Sequence, residues 1–206
     1  MGTPNTNRRA DAASDTSKQS KRRSTEELLE VGDRHNSPTY DPARLVVDHG
    51  EGVYVYDREG EAYLDFAAGI AVNSLGYNHP DLTEALQEQT PRCLHVSNMF
   101  YSEPQIELME SLCARSFADR VFLCNSGAEA TEAGMKLARR FQYAVREDHD
   151  RSKIVAMKNS FHGRTMGAIT ATGQPKYQKG FEPLVPNFEY MAFNDASAVE
   201  AHIDEE

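Results

Sequence analysis

The chain has 206 residues, 39% of them apolar, with 22 Lys and Arg against 32 Asp and Glu and a net charge of −10 at neutral pH. That length allows one large domain or parts of two, with a substantial core. An acidic globule does not attract nucleic acid or anionic membranes through its overall field; no apolar run approaches the ~20 residues of a membrane helix, and no apolar stretch near Met1 is of the kind expected of a secretory signal. A cytoplasmic protein is expected.

Residues 1–36 are rich in Ser, Thr, Asn, Arg and Asp. Such a segment buries too little apolar surface to offset its ordering entropy, so it reads as a disordered tail. A short helix is expected within it at 24–31, where Ser24 and Glu27 have capping-box spacing. From Arg44 the runs RLVVD, GVYVYD and AYLDF have β character, with turns at 50–52 and 57–60. The second turn suggests a hairpin. Residues 37–79 are therefore taken as an N-terminal β-hairpin segment. Helical patterns follow at about 81–89 and 104–117.

Beyond that the chain alternates: strand 121–124, helix 127–146, strand 153–158, short helix 164–172, strand 188–192, and a helix from Asp195 towards Glu206. This alternation argues for an α/β layer with a mostly parallel sheet over 80–206. On the long helix, Ala130, Ala133, Gly134, Leu137, Phe141 and Ala144 share one face, which is expected to lie against the sheet. Glu132 and Lys136 have the spacing of an i,i+4 pair. The three cysteines, 93, 113 and 124, sit among apolar neighbours and are expected to be reduced and buried. The seven histidines show no ligand spacing, so no metal site is assigned.

The stretch VFLCNSGAEATEAGMKLARRF, 121–141, turns from strand to helix at Asn125-Ser126-Gly127-Ala128. A helix N-terminus exposes unpaired N–H groups and the positive end of the helix dipole. Gly127 brings no Cβ, and Ser126 adds a hydroxyl, which makes an anion pocket of the kind phosphates use. The alternative is a well-capped helix alone, with Glu129 completing a capping box. The strand ending at Lys158 opens into NSFHGRT. In a parallel sheet both turns sit on the C-terminal edge, where ligands of open α/β sheets bind. Phe161 can stack on a planar group, and Arg164 can grip a carboxylate through two parallel hydrogen bonds. The alternatives are a core Phe and a surface Arg. His162 is given no role beyond a structural one.

Four stretches in order, YLDFAAGIAVNSLGYNHP, LHVSNMFY, VFLCNSGAEATEAGMKLARRF and NSFHGRTMGAITATGQPKY, resemble the class III (ornithine-type) aminotransferases. FHGRT followed by TGQPKY and FEPLVP is most similar to the branch acting on acetylornithine. The resemblance covers about Tyr40 onward. It implies an aspartate-aminotransferase-type (fold type I) α/β enzyme that uses pyridoxal 5'-phosphate and works as a homodimer. It also implies transfer of an amino group from N-acetylornithine to 2-oxoglutarate, in arginine biosynthesis. By the same resemblance Ser126, Gly127 and Ala128 hold the cofactor phosphate, Phe161 stacks on its ring, and Arg164 binds the substrate carboxylate. Thr131, Gly134 and Tyr77 depart from the family pattern, at positions given no chemical role.

The family's Schiff-base lysine and the acid beside the pyridine nitrogen have no counterpart in this chain. Lys136, Lys153, Lys158, Lys176 and Lys179 stand in the wrong motifs, and Asp195 and Glu206 do not fit the acid. No catalytic residue is therefore assigned. The chain is expected to be the N-terminal portion of such an enzyme, with a truncated large domain and no activity by itself. The alternatives are a related class III enzyme acting on ornithine, succinylornithine or 4-aminobutyrate, and an inactive, aggregation-prone fragment. A serine hydrolase built on Ser126 is disfavoured, because Cys124 stands where a nucleophile elbow needs Gly.

Overall fold

The structure, a computed structural model, describes residues 22–147 and 150–202. Residues 1–21 of the expected tail, His149 and Glu206 lie outside the described residues. The chain divides into two compact units, Met1–Phe100 and Tyr101–Glu206, so the division falls later than the expected break after 79.

The first unit opens with α1 (Thr25–His35). Its capping box is complete: Glu27 N–H donates to Ser24 Oγ at 3.1 Å, and Ser24 N–H to Glu27 Oε2 at 2.8 Å. The helix runs further than 24–31, and residues 22–36 do not belong to a disordered tail. Arg22 pairs with Asp48 at 3.0 Å, Arg44 with Asp33 at 2.9 Å, and Arg58 donates to the Arg23 carbonyl at 2.8 Å. Averaging composition over 36 residues hid the half-buried Leu28, Leu29 and Val31 and these polar tethers.

Strands β1 (Val47–Glu51), β2 (Tyr54–Asp57) and β3 (Ala62–Leu64) form an antiparallel meander. Gly50 and Glu51 pair with Val55 and Tyr54, so the first turn lies one to two residues beyond the expected one. The turn between β2 and β3 is organised by the buried Asp57. Its Oδ1 accepts from Glu59 N–H at 3.0 Å and Glu61 N–H at 2.8 Å, and its Oδ2 from Tyr63 Oη–H at 3.0 Å. A single turn, α2 (Ala68–Ala71), is wound with positive φ throughout, a hand that costs non-glycine residues energy. Helix α3 (Pro80–Gln89) begins on its proline, which suits a first helical position.

The second unit contains α4 (Glu103–Ala114), α5 (Gly127–Val145), β4 (Ile154–Met157), α6 (Met166–Ala171), α7 (Pro175–Gln178), β5 (Phe188–Met191) and α8 (Ala196–His202). Strands β4 and β5 are parallel, with Ile154 opposite Phe188 and Met157 opposite Met191. The chain between them crosses by way of α6 and α7. Ala156, Met191, Ala168, Ile169 and Ala171 form the buried apolar core, and Thr170 and Thr172 are buried beside them.

Three expectations are corrected here. Residues 121–124 are not a paired strand. They keep the alternation of one, with Val121 and Leu123 half-buried and Phe122 and Cys124 exposed, but among the described residues no ladder partner lies beside them. The face of α5 that makes contact is also displaced: Ala128, Thr131, Glu132, Ala133, Met135, Arg139 and Gln142 are half-buried, while Leu137 is 70% exposed. Two paired strands are too narrow to cover the apolar face, and polar contacts from Glu132 and Arg139 set the orientation instead. The thiols of Cys93 and Cys124 are exposed and Cys113 is half-buried, none in a disulfide, because apolar sequence neighbours do not ensure spatial cover. No helix among the described residues is long and apolar enough to cross a membrane.

Burial alone would raise the Asp57 carboxyl, but the amides of Glu61, Glu59 and Gly60 and the Tyr63 hydroxyl hold it below the usual range. Tyr63 is pushed up to about 12, first by its hydrogen bond to Asp57. The ionised Asp57 stabilises the fold above its unfolded pKa, and that contribution is lost as pH falls through the lower folded value. The neutral Tyr63 contributes below about pH 10 and loses that contribution as pH rises through its folded value. Amide protection in the β2–β3 hairpin should therefore be level between about pH 5 and 9 and fall on both sides. Asp57→Ala should speed exchange at Glu59 and Glu61 roughly tenfold, measured by hydrogen-exchange NMR; unchanged rates would remove Asp57 from this role.

Candidate functional site

Ser126 stands in extended backbone as the N-cap of α5, and its Oγ accepts from Glu129 N–H at 3.2 Å. Only half of the expected capping box forms. The Glu129 carboxylate turns back past Ser126 and accepts from Asn125 N–H at 2.5 Å. The N–H groups of Gly127 and Ala128 have no acceptor among the described residues. Apart from its chain neighbours and its own helix backbone, no atom lies within 4 Å of the point where a Cβ on Gly127 would sit. Two amides, a hydroxyl and open space thus coincide at the positive end of a 19-residue helix.

The turn after β4 is fixed through its backbone. Lys158 N–H donates to the Met191 carbonyl at 2.7 Å and Asn159 N–H to that of Gly173 at 2.8 Å. His162 N–H donates to Thr172 Oγ1 at 2.9 Å, and its ring Nδ1 lies 3.4 Å from Ser160 Oγ. Gly163 has φ +133, and a Cβ there would lie 2.8 Å from Ala128 Cβ. The two turns therefore touch. Thr165 caps α6, with Ala168 N–H donating to its Oγ1 at 3.3 Å.

The same α6 amide also donates to Glu132 Oε1 at 3.2 Å, and Thr165 Oγ1–H donates to that oxygen at 2.5 Å. A carboxylate from α5 is therefore seated on the N-terminus of α6, where it favours the positive dipole end. This replaces the expected Glu132–Lys136 pair.

Phe161 is 57% exposed and so is not a core residue. The Arg164 guanidinium carbon lies 5.5 Å from the Phe161 ring centre and 4.7 Å from that of Tyr177. Sequence reading did not single out Tyr177, which sits in a short turn without periodicity. A cleft of about 790 Å³ opens at the C-terminal ends of β4 and β5, lined in part by Lys158, Asn159, Ser160 and His162. Ser126, Gly127 and Ala128 lie beside the second turn and do not line that cleft. Chemically, the assembly offers an anion seat at open amides, an exposed ring, and a guanidinium directed by aromatic neighbours.

The profile of the aminotransferase class-III family matches residues 35–206. The acetylornithine aminotransferase of Caldanaerobacter subterraneus subsp. tengcongensis is 50% identical over 82% of this chain and 42% of its own length. That of Xanthomonas axonopodis pv. citri is 49% identical over 80% of this chain and 40% of its own. The chain thus spans about two fifths of these curated relatives. An ornithine aminotransferase structure from Toxoplasma gondii, with partial occupancy of PLP at its active site, superposes with a TM-score of 0.81 at 30% identity, over 88% of this chain and 43% of that one. Fold and sequence agree that the chain belongs to the class-III aminotransferases.

Proposed function

We propose that this chain supplies the cofactor-anchoring and substrate-carboxylate elements of a pyridoxal-phosphate transaminase. The whole protein would move an amino group from N-acetylornithine to 2-oxoglutarate, as a cytoplasmic homodimer. The carrying observation is the contact of Gly163 with Ala128, which joins the open-amide corner to the Phe161–Arg164 turn. The curated relatives named above support this choice of amine.

The residues fit pyridoxal phosphate. The Gly127 and Ala128 amides and the Ser126 hydroxyl suit a doubly charged phosphate, and the missing Cβ of Gly127 lets it approach the backbone. Phe161 offers an exposed face to the heterocycle. When bound, the cofactor supplies a conjugated ring that accepts the electron pair left when the C–H bond beside the amino group breaks. The chain's own part is to fix that ring by its anionic end and to hold the substrate carboxylate on Arg164, which has no carboxylate partner among the described residues. The proton-carrying lysine and the acid at the ring nitrogen belong to the rest of the whole protein on this reading. Among class-III relatives an ornithine substrate is the rival, favoured by the Toxoplasma superposition. Comparison of kcat/KM across acetylornithine, ornithine, succinylornithine and 4-aminobutyrate decides between them.

In the whole protein, Arg164→Ala should raise KM for N-acetylornithine roughly tenfold to a hundredfold, since charge-assisted paired hydrogen bonds are lost; an unchanged KM removes the assigned role. Gly163→Ala should weaken pyridoxal phosphate binding by roughly tenfold, because a Cβ at positive φ pushes the turn off Ala128. Absorbance titration of the apoprotein measures this, and full retention of affinity would separate the two turns functionally.

A further inference from the structure

We propose that Tyr177 is a positioning residue for Arg164, presenting the guanidinium edge-on to the substrate carboxylate while itself staying off the substrate. The proposal deepens, and rests on, the carboxylate role given to Arg164 above.

Arg164 is an exposed, long side chain, and an exposed guanidinium held by nothing samples many rotamers. Here it is held by faces. Its carbon, the Tyr177 ring centre and the Phe161 ring centre form a triangle with sides of 4.7, 5.5 and 6.1 Å. The two rings meet edge to face at 77°, so together they make an angled aromatic wall. A guanidinium stacked on a ring meets it with its own π face, and this is the orientation we assign to Arg164 on Tyr177. Its N–H donors lie in the plane and remain available for a carboxylate, which takes them two at a time. Phe161 is already assigned to the cofactor ring, so Tyr177 is the support left for Arg164 when the cofactor is in place.

Tyr177 can serve because its own place is rigid. Helix α7 starts on Pro175, and Tyr177 N–H donates to the Gln174 carbonyl at 3.0 Å. A glutamine on each side ties α7 to its surroundings. Gln174 Nε2 donates to the Ser160 carbonyl at 2.9 Å, within the turn that carries Phe161 and Arg164. Gln178 Nε2 donates to the Thr172 carbonyl at 2.8 Å and to Tyr190 Oη at 3.0 Å, linking α7 to the end of α6 and to β5. The ring is thus referenced to the same turn as the guanidinium. Its contacts with Arg164 and Phe161 are made by the ring face and edge, so the aromatic ring and not the hydroxyl is what matters.

The test uses the whole protein loaded with pyridoxal phosphate and two amines, N-acetylornithine and its decarboxylated analogue N-acetylputrescine. Tyr177→Leu should raise KM for N-acetylornithine roughly tenfold, leave kcat within about twofold, and leave KM for N-acetylputrescine unchanged. Tyr177→Phe should restore the parent values. An equal KM change for both amines, no change for either, or a Phe variant as impaired as the Leu variant overturns the proposal. Arg164→Ala runs beside them: if it too leaves the KM for N-acetylornithine unchanged, the carboxylate role itself fails, whereas a raised KM with silent Tyr177→Leu sinks only the positioning role. A readout independent of turnover is the Arg164 Hε resonance, assigned with Arg164→Lys. It should move downfield when the ring is removed in Tyr177→Leu and stay in place in Tyr177→Phe; no movement in the Leu variant overturns the contact.

Discussion

The whole site depends on the hydrogen that stands at Gly163 in place of a side chain. With φ at +133 and Ala128 Cβ 2.8 Å from the position a methyl would take, that residue lets two separate turns share one van der Waals surface. Neither turn alone would be informative. A helix N-terminus with spare amides is common, and so is an exposed arginine. Brought into contact, they set open amides and a guanidinium-bearing turn at a spacing fixed by packed backbone, and packed backbone is stiff.

Glu132 fixes that contact electrostatically. Its carboxylate takes the Thr165 hydroxyl and the Ala168 amide, and Gly167 has no Cβ to block its approach. One side chain of α5 therefore serves as a second acceptor at the N-terminus of α6, beside the Thr165 cap. Loss of register between the helices would leave a half-buried carboxylate without its donors, and such an unmet group is costly. Arg139 holds the later part of α5 in the same manner, donating to the carbonyls of Ser152 and Pro186 and lying over the Phe188 ring. Polar anchors rather than apolar burial orient this helix, which explains why its half-buried stripe runs through Thr131, Glu132, Arg139 and Gln142.

Local chemistry was legible in the sequence wherever it is settled within a few residues. The Ser24 box, the Ser126 cap, the hairpin at Asp57 and the parallel pairing of β4 with β5 all follow from short patterns. The family likeness was legible too, because the motifs recur in order. What escaped was set by distant partners. The run at 121–124 has strand alternation, yet a strand is defined by a neighbour that periodicity cannot supply. The apolar stripe on α5 was real, but a stripe reports a tendency to be covered and not what covers it. Glu132 had a plausible local partner in Lys136 and took a distant one. Tyr177 lies in a four-residue turn whose position is set by two glutamine side chains reaching elsewhere.

On the proposed reading, the two anion seats differ in a way that sorts their ligands by shape. At Gly127 the donors are open amides at a helix end, with a hydroxyl beside them. Such donors surround a tetrahedral anion and have no single preferred plane. At Arg164 the donors lie in the one plane of a guanidinium whose carbon sits over two aromatic rings, and a planar donor set suits a flat carboxylate. A phosphate at Arg164 would use only part of its oxygens, and a carboxylate at Gly127 would leave donors unmatched. In a chain with a net charge of −10, selectivity between a phosphorylated cofactor and a carboxylated substrate would, on the proposed reading, rest on donor geometry rather than on overall charge.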